Sequence, residues 1–154
     1  MTEYLLVKTD EEYRAAAALF AEYAAWLNID LSFQHFEEEL QQLKSMYSDS
    51  VGGIILCSVS NSFTGCVAIR KITGDIAELK RMYVQPAQRH KGIGKKLLEE
   101  AVLLAKKCNY KYIRLDTLSN MTPAINLYKS QGFYEIGAYY NNPVSTAVYF
   151  EKQL

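Results

Sequence analysis

The first 48 residues carry apolar side chains at the spacing of helices rather than of strands. After a short apolar run over residues 4–7, Thr9 and Glu12 match a capping box, which begins a helix. A first amphipathic helix is predicted from Tyr13, Ala17, Phe20, Ala24 and Leu27. The same three-to-four spacing then predicts a second helix from Phe33, Phe36, Leu40, Leu43 and Tyr47.

From Ile54 onward the pattern becomes that of strands. Three runs, 54–59, 63–71 and 76–84, are separated by turn residues and predict an antiparallel meander. Pro86 ends the third strand because proline cannot donate to a sheet ladder. The rest of the chain predicts a helix whose apolar stripe runs from Ile93 to Cys108, a strand over 112–117, a short helix over 123–131, and strands over 133–140 and 144–151 around a turn at 141–143.

Composition favours one ordered domain over residues 1–154 and excludes several classes of partner. Of the 154 residues 49% are hydrophobic, enough for one substantial core. Lys plus Arg and Asp plus Glu each total 17, so the chain lacks the overall positive field that nonspecific nucleic-acid binding uses. No apolar run reaches the 18 residues of a membrane span and no signal segment is evident, so we expect a cytoplasmic protein without membrane contact.

The three cysteines, Cys57, Cys66 and Cys108, are odd in number and lie in apolar segments. A zinc site would need close cysteine pairs with histidine nearby, so we expect reduced core thiols and no metal.

The segment from Glu78 to Leu98 has the most informative chemistry. A strand passes through a proline-marked turn into a helix whose first turn is rich in glycine and basic residues. The first amides of a helix lack partners and its dipole is positive there, so this end suits a phosphate or diphosphate. Side-chain donors would come from Arg89, His90, Lys91 and Lys95. The alternative is a solvated basic helix start whose glycines serve only to turn the chain.

Two common phosphate motifs do not fit this segment. A Walker loop requires Gly-Lys followed by Ser or Thr, and a dinucleotide fingerprint requires a small residue where Leu97 stands. What matches is Arg-x-x-Gly-x-Gly, formed by Arg89, Gly92 and Gly94, which resembles the GNAT superfamily of N-acetyltransferases. The resemblance covers about residues 52 to 137 and continues through Arg114-Leu115-Asp116-Thr117, Ala124-Ile125-Asn126-Leu127-Tyr128 and Gln131-Gly132-Phe133.

The resemblance implies a fold and a cofactor. The expected class is α/β (α+β), the GNAT fold, with a mixed, mostly antiparallel sheet of about seven strands, a splayed parallel pair and about four flanking helices. Acetyl-coenzyme A would lie between the splayed strands 78–84 and 112–117, its diphosphate on the amides of Arg89 through Gly94. The implied cofactor-binding residues are Met82, Tyr83, Val84, Arg89, His90, Lys91, Gly92, Ile93, Gly94, Lys95, Asn126 and Tyr128. Backbone groups of Met82 and Val84 would pair with the pantetheine arm, and the Met82 amide would point at the thioester oxygen.

Acyl transfer to an amine also needs a base and an acid. An alkylamine is mostly protonated at neutral pH, so a carboxylate can help remove its proton. Glu78 is the candidate base, with a strand glutamate paired to Lys80 or Arg81 as the alternative. Tyr128 is the candidate acid for the departing thiolate by its match to the superfamily's tyrosine, with a half-buried helix tyrosine as the alternative.

The acceptor pocket should come from the variable ends of the chain. Aromatic side chains with a few polar groups suit a small molecule. The candidates between the first helices and in the last hairpin are Trp26, Leu27, Asp30, Phe33, Gln34, Tyr139, Tyr140, Asn141 and Asn142. Arg70 would bind a substrate carboxylate or else form a surface salt bridge, and Asp116 would receive an amine or else cap the turn at 119–120. The leading hypothesis is acetylation of a small-molecule primary amine; a protein or peptide amine, and a non-catalytic coenzyme A sensor, stay as alternatives. The sequence leaves a homodimer open.

Overall fold

A computed structural model describes residues 1–48 and 50–154 and contains one seven-stranded sheet in the order β1-β2-β3-β4-β5-β7-β6. Short 3-10 turns at Ser32–Gln34 and Pro86–Gln88 accompany the main elements. In chain order these elements are β1 (Thr2–Leu6), α1 (Asp10–Leu27), α2 (Phe36–Gln41), α3 (Leu43–Met46), β2 (Gly53–Val59), β3 (Ser62–Thr73), β4 (Ile76–Val84), α4 (Ile93–Lys107), β5 (Tyr112–Leu118), α5 (Thr122–Ser130), β6 (Tyr134–Ile136) and β7 (Ala147–Gln153).

The sheet is antiparallel except where β4 meets β5. That parallel pair is in register only from Ile76 opposite Tyr112 to Glu78 opposite Arg114, although β4 continues to Val84 and β5 to Leu118. The register between β3 and β4 also shifts near Arg81, whose φ of 58° is left-handed. The predicted mixed sheet with a splayed parallel pair is therefore confirmed.

Two apolar cores hold the sheet between helices. On one face α4 buries Leu97, Leu98 and Ala101 completely against β-strand side chains such as Ile113. On the other face α1 and the short helices bury Phe20 and Tyr47. None of the described helices combines the length and apolar composition needed to span a bilayer.

The predicted first helix is confirmed and the predicted second helix is wrong. Thr9 caps α1 in the expected capping box with Glu12. The segment 33–47 is instead divided, because His35 adopts a left-handed φ of 57° and Gln42 leaves the helical region with a φ of −128°. The apolar spacing still marks the buried side, since Phe36, Leu43 and Tyr47 all enter the core.

The closing hairpin is shorter than the sequence predicts. β6 ends at Ile136 and β7 begins at Ala147, so residues 137–146 form a loop rather than strand and turn. The rings of Tyr139 and Tyr140 pack on Tyr149 instead of extending the ladder. This loop places Tyr139 and Tyr140 beside the open ends of β4 and β5.

Candidate active site

A cleft of about 530 Å³ opens where β4 and β5 separate. Its walls come from α1, the chain between α1 and α2, β4, the loop before α4, β5, α5 and the loop between β6 and β7. The residues proposed from sequence that line it are Phe33, Met82, Tyr83, Val84, Arg89, His90, Gly92, Ile93, Gly94, Lys95, Asp116 and Tyr128. Five others are not among the lining residues: Arg70, Glu78, Lys91, Asn126 and Tyr139.

The loop before α4 presents a row of backbone N–H groups. His90 and Gly92 adopt left-handed φ values of 64° and 82°, and the first backbone bond of the helix is from the Lys96 amide to the Gly92 carbonyl at 3.1 Å. In the part of the chain that the structure describes, the amides of residues 90–95 have no hydrogen-bond acceptor. A Cβ on Gly92 would meet nothing within 4 Å, so this side of the loop is open.

The structure corrects the expected role of the Arg89 amide. That N–H, predicted to join the diphosphate site, donates to the Pro86 carbonyl at 3.3 Å. The Arg89 side chain instead donates from Nε to the Val84 carbonyl at 2.8 Å and stacks over Trp26 at 4.6 Å and Tyr83 at 5.7 Å. Backbone groups of Val84 were expected to pair with the pantetheine arm, and one of them, the carbonyl, therefore already has a partner. The open amides begin at His90.

Tyr128 lies at the cleft in a mostly buried setting. Only 6% of the residue is exposed, and its ring packs on Phe133 at 5.8 Å and Phe150 at 6.4 Å. Burial raises the pKa of Tyr128 above its usual value of 10.0, so the hydroxyl keeps its proton at neutral pH. The side chain is thus a core residue whose protonated phenol lies at the cleft.

Glu78 is a buried carboxylate with every oxygen engaged. Its Oε1 lies 3.0 Å from Arg70 Nε and 3.7 Å from Lys80 Nζ, and its Oε2 accepts the Tyr139 hydroxyl at 2.6 Å. The alternative role of Glu78, that of a strand glutamate in an ion pair, is thus observed. Its partners are Lys80, as expected, and Arg70 in place of Arg81. Arg70 itself forms the salt bridge that was the alternative to binding substrate.

Sequence reasoning missed the partner of Arg81. Arg81 donates to Glu39 twice, from Nη2 at 2.7 Å and Nε at 3.1 Å, and Tyr47 donates to the same carboxylate at 2.9 Å. Burial alone would raise the pKa of Glu39, but the bonds and charge of Arg81 outweigh it and lower the pKa. One signal was available: Glu39 stands three residues after Phe36 and four before Leu43, on the apolar face.

Four side chains form a hydrogen-bonded line, which we call the polar row: Lys80, Gln34, Tyr140 and Asp116. All of them except Tyr140 line the cleft. Lys80 Nζ donates to Gln34 Oε1 at 3.3 Å, and Gln34 Nε2 donates to the Tyr140 hydroxyl at 3.0 Å. Tyr140 donates to Asp116 Oδ2 at 2.7 Å. Burial raises the pKa of Asp116. The alternative role of Asp116 in capping residue 119 is not observed, because the Ser119 amide donates to the Thr146 carbonyl.

We find no metal-binding site in residues 1–48 and 50–154. No group of three or more His, Cys, Asp or Glu side chains is arranged there to hold an ion.

Known proteins match both the sequence and the fold. The acetyltransferase (GNAT) family model matches residues 10–133. An uncharacterized N-acetyltransferase from Dictyostelium discoideum is 32% identical over 96% of this chain and 96% of its own length. The crystal structure of an acetyltransferase from Streptococcus agalactiae has a TM-score of 0.81 at 22% identity, covering 99% of this chain and 98% of that one. PaiA N-acetyltransferase from Thermoplasma acidophilum, crystallised with coenzyme A, has a TM-score of 0.76 at 21% identity, covering 100% and 99%. The resemblance inferred from the sequence is therefore confirmed, and the chain, an acyltransferase, belongs to the GNAT family of acetyltransferases.

Proposed function

We propose that this protein transfers an acetyl group from acetyl-coenzyme A to a primary amine of a small molecule, by direct attack within a ternary complex. The observation that carries the proposal is the row of open amides at residues 90–95, located at a cleft that also contains Tyr128 and Asp116. Backbone N–H groups that can bind an anion, a tyrosine hydroxyl that can give a proton and a carboxylate are thus found at a single cleft.

The residues present fit the diphosphate and arm of coenzyme A. The open amides and the positive end of the 15-residue helix α4 suit a diphosphate, and Gly92 leaves room for it. Lys95 lines the same part of the cleft, while the exposed Lys91 would contribute through its amide. Beyond Glu78, β4 has no register with β5, so this edge can pair with the amides of an extended arm. Asn126, exposed on α5, would reach the arm from the rim.

Acetyl-coenzyme A, when bound, supplies the thioester carbonyl that the amine attacks. The Met82 amide would polarise that carbonyl, which is typically worth on the order of a hundredfold in rate. Tyr128 would give its proton to the departing thiolate. The pKa of Tyr128 is raised, so the hydroxyl is in the form that can donate.

The amine would be received at Asp116, whose Oδ2 is held in place by Tyr140. We assign the base role to Glu78, which would draw the proton away through water or through the groups that touch it. Phe33 would give the acceptor an apolar wall, while Tyr139 and Arg70 would fix the carboxylate of Glu78.

Incubation with acetyl-coenzyme A and a panel of amines tests the proposal by the appearance of free thiol. We expect thiol release that depends on at least one amine and mass spectrometry showing an N-acetyl product. Melting stabilised by coenzyme A, with no thiol release from any amine, would overturn the enzymatic assignment and leave the sensor alternative.

A further inference from the structure

The acceptor side of the cleft has a charged group at each end of one polar line. Asp116 lies at one end of the polar row and Lys80 at the other, and both line the cleft. Gln34 and Tyr140 connect them, so the hydrogen bonds fix where each charge lies along the wall.

The positive charge of Lys80 is only partly neutralised by its protein partners. Lys80 and Arg70 share the single carboxylate of Glu78, and Arg70 is the closer of the two, at 3.0 Å against 3.7 Å. The neighbouring Arg81 does not alter this balance, because Glu39 pairs with it through two hydrogen bonds. The Lys80 end of the row therefore favours an additional anion, and the Asp116 end favours a cation.

We propose that the acceptor is zwitterionic, with an acid group close to its amine as in an α-amino acid, the ammonium binding at Asp116 and the acid group at Lys80. This assignment rests on the acetyl transfer proposed above. A simple alkylamine would leave Lys80 facing the cleft with one shared counter-ion, whereas an acid group would complete its hydrogen bonds. The apolar remainder of the acceptor would lie against Leu31 and Phe33.

The protonation of Lys80 gives the assignment a pH signature. Lys80 faces Glu78 and Arg81 on its own strand, Arg70 from β3, Glu39 from α2 and Asp116 from β5. Burial, followed by the charge of Arg81, lowers the pKa of Lys80 to about 8. Because the anion needs the protonated lysine, discrimination in favour of the acid group should decline as the pH rises through about 8.

The test compares each common amino acid with its own carboxamide, which keeps the amine and side chain and removes the acid group. Initial rates of thiol release give kcat/KM for each pair. We expect at least one amino acid to exceed its amide by about tenfold or more, since one charge-assisted hydrogen bond is lost. The assignment would be overturned if amides or plain amines were acetylated with a kcat/KM equal to that of every amino acid. Absence of thiol release with any compound would instead overturn the acetyl transfer on which it rests.

Variants then locate the two charges. Lys80→Met should bring the amino acid to amide ratio close to one, and Lys80→Arg should retain most of it. The exposed Lys71→Met, on β3, is the matched control and should leave the ratio unchanged. Asp116→Asn should lower kcat/KM equally for the amino acid and for its carboxamide. An amino acid to amide ratio that is the same in Lys80→Met and wild type, at pH 7 and at pH 9, would contradict the assignment. If Lys80→Met does not fold, the ratios measured for wild type and for Lys80→Arg decide the assignment.

Discussion

The two ends of the cleft, to which we assign the cofactor and the acceptor, are built from different parts of the polypeptide. At the cofactor end the donors are backbone amides of consecutive residues, 90–95, exposed by left-handed turns at His90 and Gly92. At the acceptor end they are side chains from distant segments; Gln34 and Tyr140, which share a hydrogen bond, lie 106 residues apart. A backbone site depends on local conformation and tolerates change in most side chains. A side-chain site depends on tertiary packing, and single substitutions can alter its specificity.

The largest expected effect separates chemistry from cofactor binding at Tyr128. Tyr128→Phe removes the proton donor but keeps the ring that packs on Phe133 and Phe150, so kcat should fall by about 10²-fold or more while coenzyme A affinity stays nearly unchanged. The measurements are steady-state kinetics and calorimetry. The control is Tyr134→Phe on β6, an exposed tyrosine outside the cleft. Wild-type turnover in Tyr128→Phe would remove Tyr128 as the acid.

The next effect tests whether tertiary packing holds the acceptor end. Glu39→Gln leaves Arg81 buried with its charge unpaired, which should cost about 3–5 kcal/mol of unfolding free energy. The exposed Glu38→Gln on α2 is the matched control and should change little. Denaturant unfolding measures both.

The pH dependence of this difference follows from the lowered pKa of Glu39. A carboxyl with a lowered folded-state pKa stabilises the fold above its ordinary value of 4.5, and this contribution is lost as the pH falls toward the folded-state pKa. The difference in unfolding free energy between wild type and Glu39→Gln should therefore be largest at pH 7 and should decrease below about pH 4.5. A gap that widens on acidification would contradict the assigned ion pair.

A smaller effect is expected at Glu78, where the proposed base is also part of an ion-pair cluster. Glu78→Gln should reduce the rate about tenfold at pH values where the amine is protonated, and less at higher pH where the free amine is already present. The pH profile of kcat/KM measures this, and Glu135→Gln on β6 is an exposed control. A profile parallel to that of wild type would restrict Glu78 to holding Arg70, Lys80 and Tyr139.

The sequence predicted the backbone around the 90–95 loop well because its determinants are consecutive. The spacing of Arg89, Gly92 and Gly94 before an apolar helix identified the loop, and the extent of β4 was predicted residue for residue. The sequence did not indicate that the Arg89 amide is engaged by a short turn at Pro86. Such a turn depends on backbone dihedral angles, and the residue types favour these angles without determining them.

The acceptor end was predicted only in part because its contacts are non-local. Asp116 was a candidate from its place at the end of a splayed strand, and Gln34 and Tyr140 were expected near the acceptor. No spacing indicates, however, that Tyr140 donates to Asp116 and accepts from Gln34. The helical spacing over 33–47 identified the buried residues and missed the break at His35, since apolar periodicity reports which side faces the core rather than backbone continuity. Residues 137–140 and 144–146 were predicted as strand, but they belong to a loop in which the rings of Tyr139 and Tyr140 pack on Tyr149.

Calorimetric titration of coenzyme A into wild type and Gly92→Asp tests the central claim that open amides in this loop bind a diphosphate. Gly92 and Gly74 both have positive φ and no atom within 4 Å of an added Cβ, so Gly74→Asp, in the β3–β4 turn, controls for backbone strain and for charge. We predict binding to wild type and Gly74→Asp with similar affinity, and affinity lower by about 10²-fold in Gly92→Asp, where a carboxylate enters the anion site. Equal affinity in all three proteins, or no binding to wild type, would contradict the account.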